Sequence, residues 1–164
     1  MIETERIEDR RGFFARAWSP AEARTHGINV RLEQCSIAFN KTKGTLRGMH
    51  FQKAPHQETK LVRCTMGSIY DVIIDLRKGS PTRLKWTAVT LTSENRRMLY
   101  VPEGFAHGYI TLKDSSEVFY QISAKFNPTA ASGVRWNDPA FGIKWPRIPS
   151  VINPRDRDYP NFNL

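Results

Sequence analysis

Apolar and polar residues alternate with a period of two through most of the chain, the mark of strands that turn one face to a core. KLVRCTM (60–66) and IYDVIIDL (69–76) are two such runs. Gly67-Ser68 separates them, a small pair with glycine first, which predicts a tight hairpin turn. Further strands are expected over 86–91, 98–101, 108–112 and 117–124. Turn signals recur about every ten residues, the spacing of an all-β sandwich or barrel rather than of a parallel α/β sheet. Helical signals are scarce. The clearest joins a capping Ser19, Pro20 at the first helical position and Glu22, with a stop at Gly27, which allows one or two turns. Beyond Asn127, proline, asparagine and arginine concentrate in what reads as an irregular tail wrapped over the sandwich. Trp136 and Trp145 are its expected anchors, to the core or to a partner subunit.

The 164 residues suit one domain over 1–164 and leave no room for a second. With 40% hydrophobic and 25% charged residues, the chain is neither disordered nor a fibrous repeat. No apolar run is long enough to cross a bilayer; Val72-Ile73-Ile74 is closed on both sides by Asp71 and Asp75. The first residues, MIETERIEDRR, alternate in charge without the apolar core of a secretory signal, so a cytoplasmic protein is expected. Cys35 and Cys64 lie in strand-like stretches and are expected as free, packed thiols rather than nucleophiles. Lysine and arginine number 25 against 16 acidic residues, a net +9 that points to an anionic partner. Nucleic acid ranks last among such partners, because the basic residues are scattered and no zinc knuckle, helix-turn-helix or RNA-binding aromatic strand accompanies them.

Four stretches combine turn residues with polar groups that a plain sandwich does not need: RGFF (11–14), GTLRGMHFQ (44–52), YVPEGFAHGY (100–109) and RDRDYP (155–160). His50 and His107 each follow a glycine-containing turn at the end of a predicted strand, which favours His50 as a catalyst and His107 as a binding residue. A divalent metal needs three or four preset ligands, and His50, His56, Glu58 and His107 are the available donors. PEGFAH (102–107) resembles the second cupin motif. The first is half present: Gly44 is followed six positions later by His50, but Gln52 stands where the second histidine is expected. Without that His-x-His pair the site is expected to hold no metal and no other cofactor, and to work by acid–base chemistry.

RGFF, GTLRGMHFQ, KLVRC, YDVIIDLR, YVPEGFAHGY, EVFY and WNDP followed by WP occur in one collinear order over nearly the whole chain. Together they resemble the dTDP-4-dehydrorhamnose 3,5-epimerase family. That resemblance implies an antiparallel double-stranded β-helix, the cupin-like jelly roll, with little helix. It also implies a homodimer that inverts C3, C5 or both in a nucleotide-diphospho-4-keto-6-deoxy sugar. His50 matches the family's base, Tyr120 its proton donor, Asp156 the acid that fixes the base's tautomer, and Lys60 the cation beside the developing O4 charge. Arg47 matches a phosphate-binding position, and Arg11, His107 and the strand glutamine Gln34 match further substrate contacts. The chemistry is coherent by itself: a neutral imidazole removes a proton beside a ketone when the enolate oxygen is stabilised, and inversion needs a second group on the opposite face.

Four positions depart from the family pattern. Arg16 stands where a glutamate is usual, Ser36 replaces an asparagine, Phe126 replaces a tyrosine that stacks on the base, and Ala131 replaces a glutamate. The proposed catalytic set is intact while the set that would read the nucleobase is altered, which leaves another nucleotide or another 4-keto sugar open. A non-catalytic cupin that binds a nucleotide sugar or carbohydrate is the alternative reading; it gives no reason to keep His50, Tyr120 and Lys60 together.

Overall fold

The computed structural model describes residues 1–28 and 30–163. Twelve short strands carry nearly all the regular structure. The first two, β1 (Ile7–Asp9) and β2 (Gly12–Phe14), form a hairpin of their own. Helix α1 (Pro20–Thr25) follows, its N-terminus capped by Ser19 Oγ, which accepts from Glu22 N, as the sequence signals. Then come β3 (Gln34–Asn40), β4 (Thr45–Gln52), β5 (Lys60–Met66), β6 (Ser68–Asp75), β7 (Trp86–Thr92) and β8 (Met98–Val101). The rest are β9 (Phe105–Thr111), β10 (Ser116–Ile122), β11 (Ala131–Gly133), β12 (Val151–Ile152) and a last helix, α2 (Pro154–Arg157).

Two sheets face each other. The smaller has the order β3-β10-β5-β8 and the larger β11-β4-β9-β6-β7, with β12 added parallel to the far end of β4. All other pairings are antiparallel. This is the jelly roll anticipated from the sequence.

One expectation fails. The run at Gly67-Ser68 is not a hairpin, because β5 pairs with β10 and β8 while β6 pairs with β9 and β7. Gly67 (φ +76°) is a corner that carries the chain from one sheet to the other, pressed so closely on Ser116 that a Cβ would collide with its hydroxyl. Its neighbour Ser68 N donates to that same Ser116 Oγ. Strand β6 also shows why its apolar run is continuous. Ile69 and Ile73 pack between the sheets with Val62, Leu99 and Val118, while Val72 and Ile74 pack outward under the tail. Strands buried on both faces lose the simple alternation.

The tail is irregular, as expected, and its anchors hold it to the core. Trp145 packs on the outer cluster, donates Nε1–H to Trp136 O at 2.9 Å, and meets Trp136 and Tyr70 with ring centroids 6.5 and 6.3 Å apart. Asp138, buried, accepts from Phe162 N at 2.5 Å and so fixes the chain's last turn. Among the described residues no helix is long and apolar enough to cross a membrane.

Candidate active site

Strand β4 lies between β9 and β11, which places His50 directly opposite His107 on one side and Gly133 on the other. Both histidines sit inside their strands rather than at the ends predicted for them. The β4–β9 register shifts between Arg47 and His50, at Gly48 (φ +132°), and this irregularity leaves the Gly48 N–H pointing away from the ladder. It donates instead to Asp156 Oδ2 at 3.1 Å. Asp156 Oδ1 is 2.7 Å from His50 Nε2. Helix α2 supplies Asp156: Asn153 caps it by accepting from Arg155 N, and Pro154 takes the first helical position. Burial alone would raise the Asp156 carboxyl's pKa, but the hydrogen bond and charge of His50 and the Gly48 N–H hold it below the usual carboxylate range. When the imidazole is neutral, an ionised acceptor fixes its proton on Nε2 and leaves the lone pair of His50 on Nδ1.

The opposite wall belongs to the smaller sheet. Tyr120 on β10 pairs with Ser36 on β3, and Lys60 on β5 pairs with Ile122, so Lys60 and Tyr120 are diagonal neighbours on one inner face. With Gln34, Ser36, Arg47, His50, His107 and Phe126 they line a cleft of about 360 Å³. Burial pushes the Tyr120 hydroxyl well above the ordinary tyrosine range, and the nearby Tyr109 and Asp71 push it further. It therefore stays a phenol. Lys60 Nζ lies 3.0 Å from Glu58 Oε1, both side chains nearly buried. Gln52, standing where a second metal histidine was sought, is an amide hub instead: it donates to Glu58 Oε2, His56 O and Lys125 O, and accepts from Asn127 N. Among the described residues no three His, Cys, Asp or Glu side chains converge as metal ligands do.

The cleft's mouth is cationic. Arg47 Nε donates to Asn40 Oδ1 at 2.8 Å, which orients its guanidinium along the wall, and Arg155 lines the same cleft. Phe126 is 61% exposed at the rim, and Ala131 and Ser132 lie next to it. Two expected residues are elsewhere. Arg11, on the β1–β2 hairpin, has a side chain 90% exposed and paired with Asp9. Arg16 pairs with Glu22 at 2.7 Å and lines a different, larger cleft between the N-terminal residues and α1, which holds none of the dyad.

Three features of the site do not follow from the motifs. Asp71 reads as a polar stop to an apolar run, yet it lies on the inner face and meets His107 Nε2 at 2.7 Å, both groups buried and Asp71 Oδ2 left without a partner. Arg155 and Tyr159 flank Asp156, and the signal for them is the Asn153-Pro154 pair, which announces a helix in the RDRDYP stretch where Asp156 alone is expected to act.

A jelly roll that brings a carboxylate-held imidazole, a phenol and an ammonium to one cleft is the cupin-like class of fold. The family model for dTDP-4-dehydrorhamnose 3,5-epimerase matches residues 1–163. The chain is 38% identical over 163 residues to the dTDP-4-dehydrorhamnose 3,5-epimerase of Sinorhizobium fredii, covering 99% of this chain and 84% of the relative. To that of Methanothermobacter thermautotrophicus it is 41% identical over 162 residues, covering 97% and 86%. The crystal structure of the Bacillus anthracis enzyme, with TDP and PPi bound, superposes with a TM-score of 0.95 at 39% identity, covering 98% of this chain and 91% of that one. The chain belongs to the dTDP-4-dehydrorhamnose 3,5-epimerase family and is an isomerase acting on sugars.

Proposed function

We propose that the protein inverts C3, C5 or both in a nucleotide-diphospho-4-keto-6-deoxy sugar, using its own side chains and no metal. The observation that carries this is the placement of His50–Asp156 and of Tyr120 with Lys60 on opposite walls of one cleft. His50 Nδ1 takes the proton from the carbon beside the C4 ketone. The C–H electron pair becomes the C=C of an enolate, and the former carbonyl pair moves onto O4, where the Lys60 ammonium faces the charge. Tyr120 O–H then protonates the same carbon from the other side while the carbonyl re-forms. Imidazolium and phenolate remain, and solvent resets both. Arg47 and Arg155 take the diphosphate, since guanidinium forks match phosphate oxygens, and the Bacillus relative's structure with TDP bound supports a nucleotide-linked ligand.

The two walls fail differently in the test. In deuterated buffer with a dTDP-linked 4-keto-6-deoxy sugar, His50→Ala abolishes both turnover and exchange of the α protons, because no enolate forms. Tyr120→Phe keeps the base, so exchange continues while inversion stops. If Tyr120→Phe inverts the sugar at the normal rate, the two-wall mechanism is wrong.

We further propose a homodimer. Ile37 and Phe39 point outward from β3, 64% and 45% exposed, on a strand whose outer edge has no neighbour in the sheet order. A second copy covering this edge removes an aggregation-prone surface. It also accounts for Arg11 and Arg16: the β1–β2 segment, away from its own cleft, reaches the cleft of the other copy.

A further inference from the structure

Tyr159 lies just beyond α2, three residues after Asp156. Its ring occupies the space that Gly133 leaves by having no side chain, so that a Cβ built at Gly133 would collide with the ring, 2.4 Å from Cε2 and Cζ. Because Gly133 pairs in register with His50, the ring comes to rest beside the imidazole, edge to face, with centroids 6.4 Å apart and planes at 70°. Its own face carries a cation: the Arg155 guanidinium carbon is 5.9 Å from the ring centre, and Arg155 lines the cleft. The Tyr159 hydroxyl is buried and has no hydrogen-bond partner. What the site uses of this residue is therefore the ring and not the O–H.

We infer that Tyr159 is a positioning residue, its ring holding the His50–Asp156 pair by edge contact and the Arg155 guanidinium by its face, so that the proton-abstracting and anion-binding halves of the site keep one fixed relation. The inference rests on the proposed role of His50 as base. Aromatic edge contacts and cation–π stacking are each modest, but both act here on groups whose placement sets the rate, and a displacement of about 1 Å at a reacting group costs as much as 10²-fold.

The experiment compares Tyr159→Phe, Tyr159→Leu and Tyr159→Met, measuring kcat, KM and α-proton exchange per folded enzyme with the dTDP-linked 4-keto-6-deoxy sugar. Tyr159→Phe is expected to match the parent within about twofold, since it removes only an unpaired hydroxyl. Tyr159→Leu is expected to lose about tenfold or more in kcat and in exchange at saturating substrate, with KM raised as Arg155 loses its support. Tyr159→Met, which fills the volume without a ring, replaces the leucine variant if that one does not fold. Normal kcat and exchange in folded Leu or Met protein, even with a lowered melting temperature, reduce Tyr159 to packing and overturn the inference. Damage in Tyr159→Phe equal to that in the leucine variant overturns it too, because the hydroxyl would then be the working part. His50→Ala separates the two levels: exchange persisting in that variant refutes the base assignment itself, whereas an inert His50→Ala beside a normal Tyr159→Leu refutes only the positioning role.

Discussion

Asp156 divides its two oxygens between a backbone N–H and an imidazole, and on the proposed mechanism this one residue is what turns the lone pair of His50 to the cleft. Asparagine is almost the same shape but has one acceptor and one NH2 group. With its oxygen toward Gly48, its amide hydrogens meet Nε2–H and drive the proton to Nδ1, which removes the base from the side of the substrate. Asp156→Asn is therefore expected to lower kcat by about 10²–10⁴-fold while KM stays within about twofold; steady-state kinetics with the 4-keto sugar checks this, and an unchanged kcat rejects the tautomer argument. Tyr120 needs the opposite treatment. Its burial favours the protonated phenol, the form that the proposed mechanism requires. Residue identity was the legible part of this site, since His50, Tyr120, Lys60 and Asp156 are recognisable by motif. Asp71 was not, because a single aspartate in an apolar strand looks the same whether it ends the strand or reaches inward to a histidine two strands' width of sequence away.

At the level of elements, strand positions followed from alternation, and β8 begins and ends where the pattern says. The joints did not follow. Gly67-Ser68 has the chemistry of a hairpin and of a sheet-to-sheet corner alike, and only the packing against Ser116 chooses between them. Strand β6 forms its hairpin with β7 instead, through a longer loop tied at its base by Asp75. The buried carboxylate accepts from Arg77 Nε and Nη2 at 2.9 and 2.7 Å, Ser80 Oγ at 2.6 Å and Thr82 Oγ1 at 2.7 Å. Arg77 in turn lies over Phe105, the first residue of the strand that carries His107. These donors, the Arg77 fork first, hold the Asp75 carboxyl far below the usual range against the opposing effect of burial. A depressed folded pKa stabilises above the unfolded value and ceases to do so as pH falls through the folded one. Asp75→Asn should thus cost about 2–3 kcal/mol at neutral pH, the share of the half-exposed guanidinium being reduced by solvent screening. Denaturant unfolding of parent and variant should converge only in strong acid; a gap that is the same at all pH values would show that shape, not charge, is what the asparagine lacks.

For the whole molecule, the exposed edge of β3 and the displaced β1–β2 hairpin belong to one prediction. Ile37→Lys puts a charge on the proposed contact and is expected to give monomers by sedimentation velocity, with nucleotide affinity weakened because Arg11 and Arg16 no longer reach a cleft. A monomer that binds nucleotide as tightly as the parent would return both arginines to the solvent. The order of the chain adds a constraint of a different kind. Every strand of the two facing sheets except the short β12 is complete by Gly133, and so are His50, Lys60, Tyr120 and Arg47, yet the group that orients the base arrives only with α2. The tail then locks down through Asp138 and Phe162. Where the sheets form as they emerge, the walls and floor of the cleft precede the group that orients His50. On the proposed mechanism, a chain clipped ahead of Asn153 is expected to keep both sheets and to form no enolate, so that chemistry is the last property the polypeptide acquires.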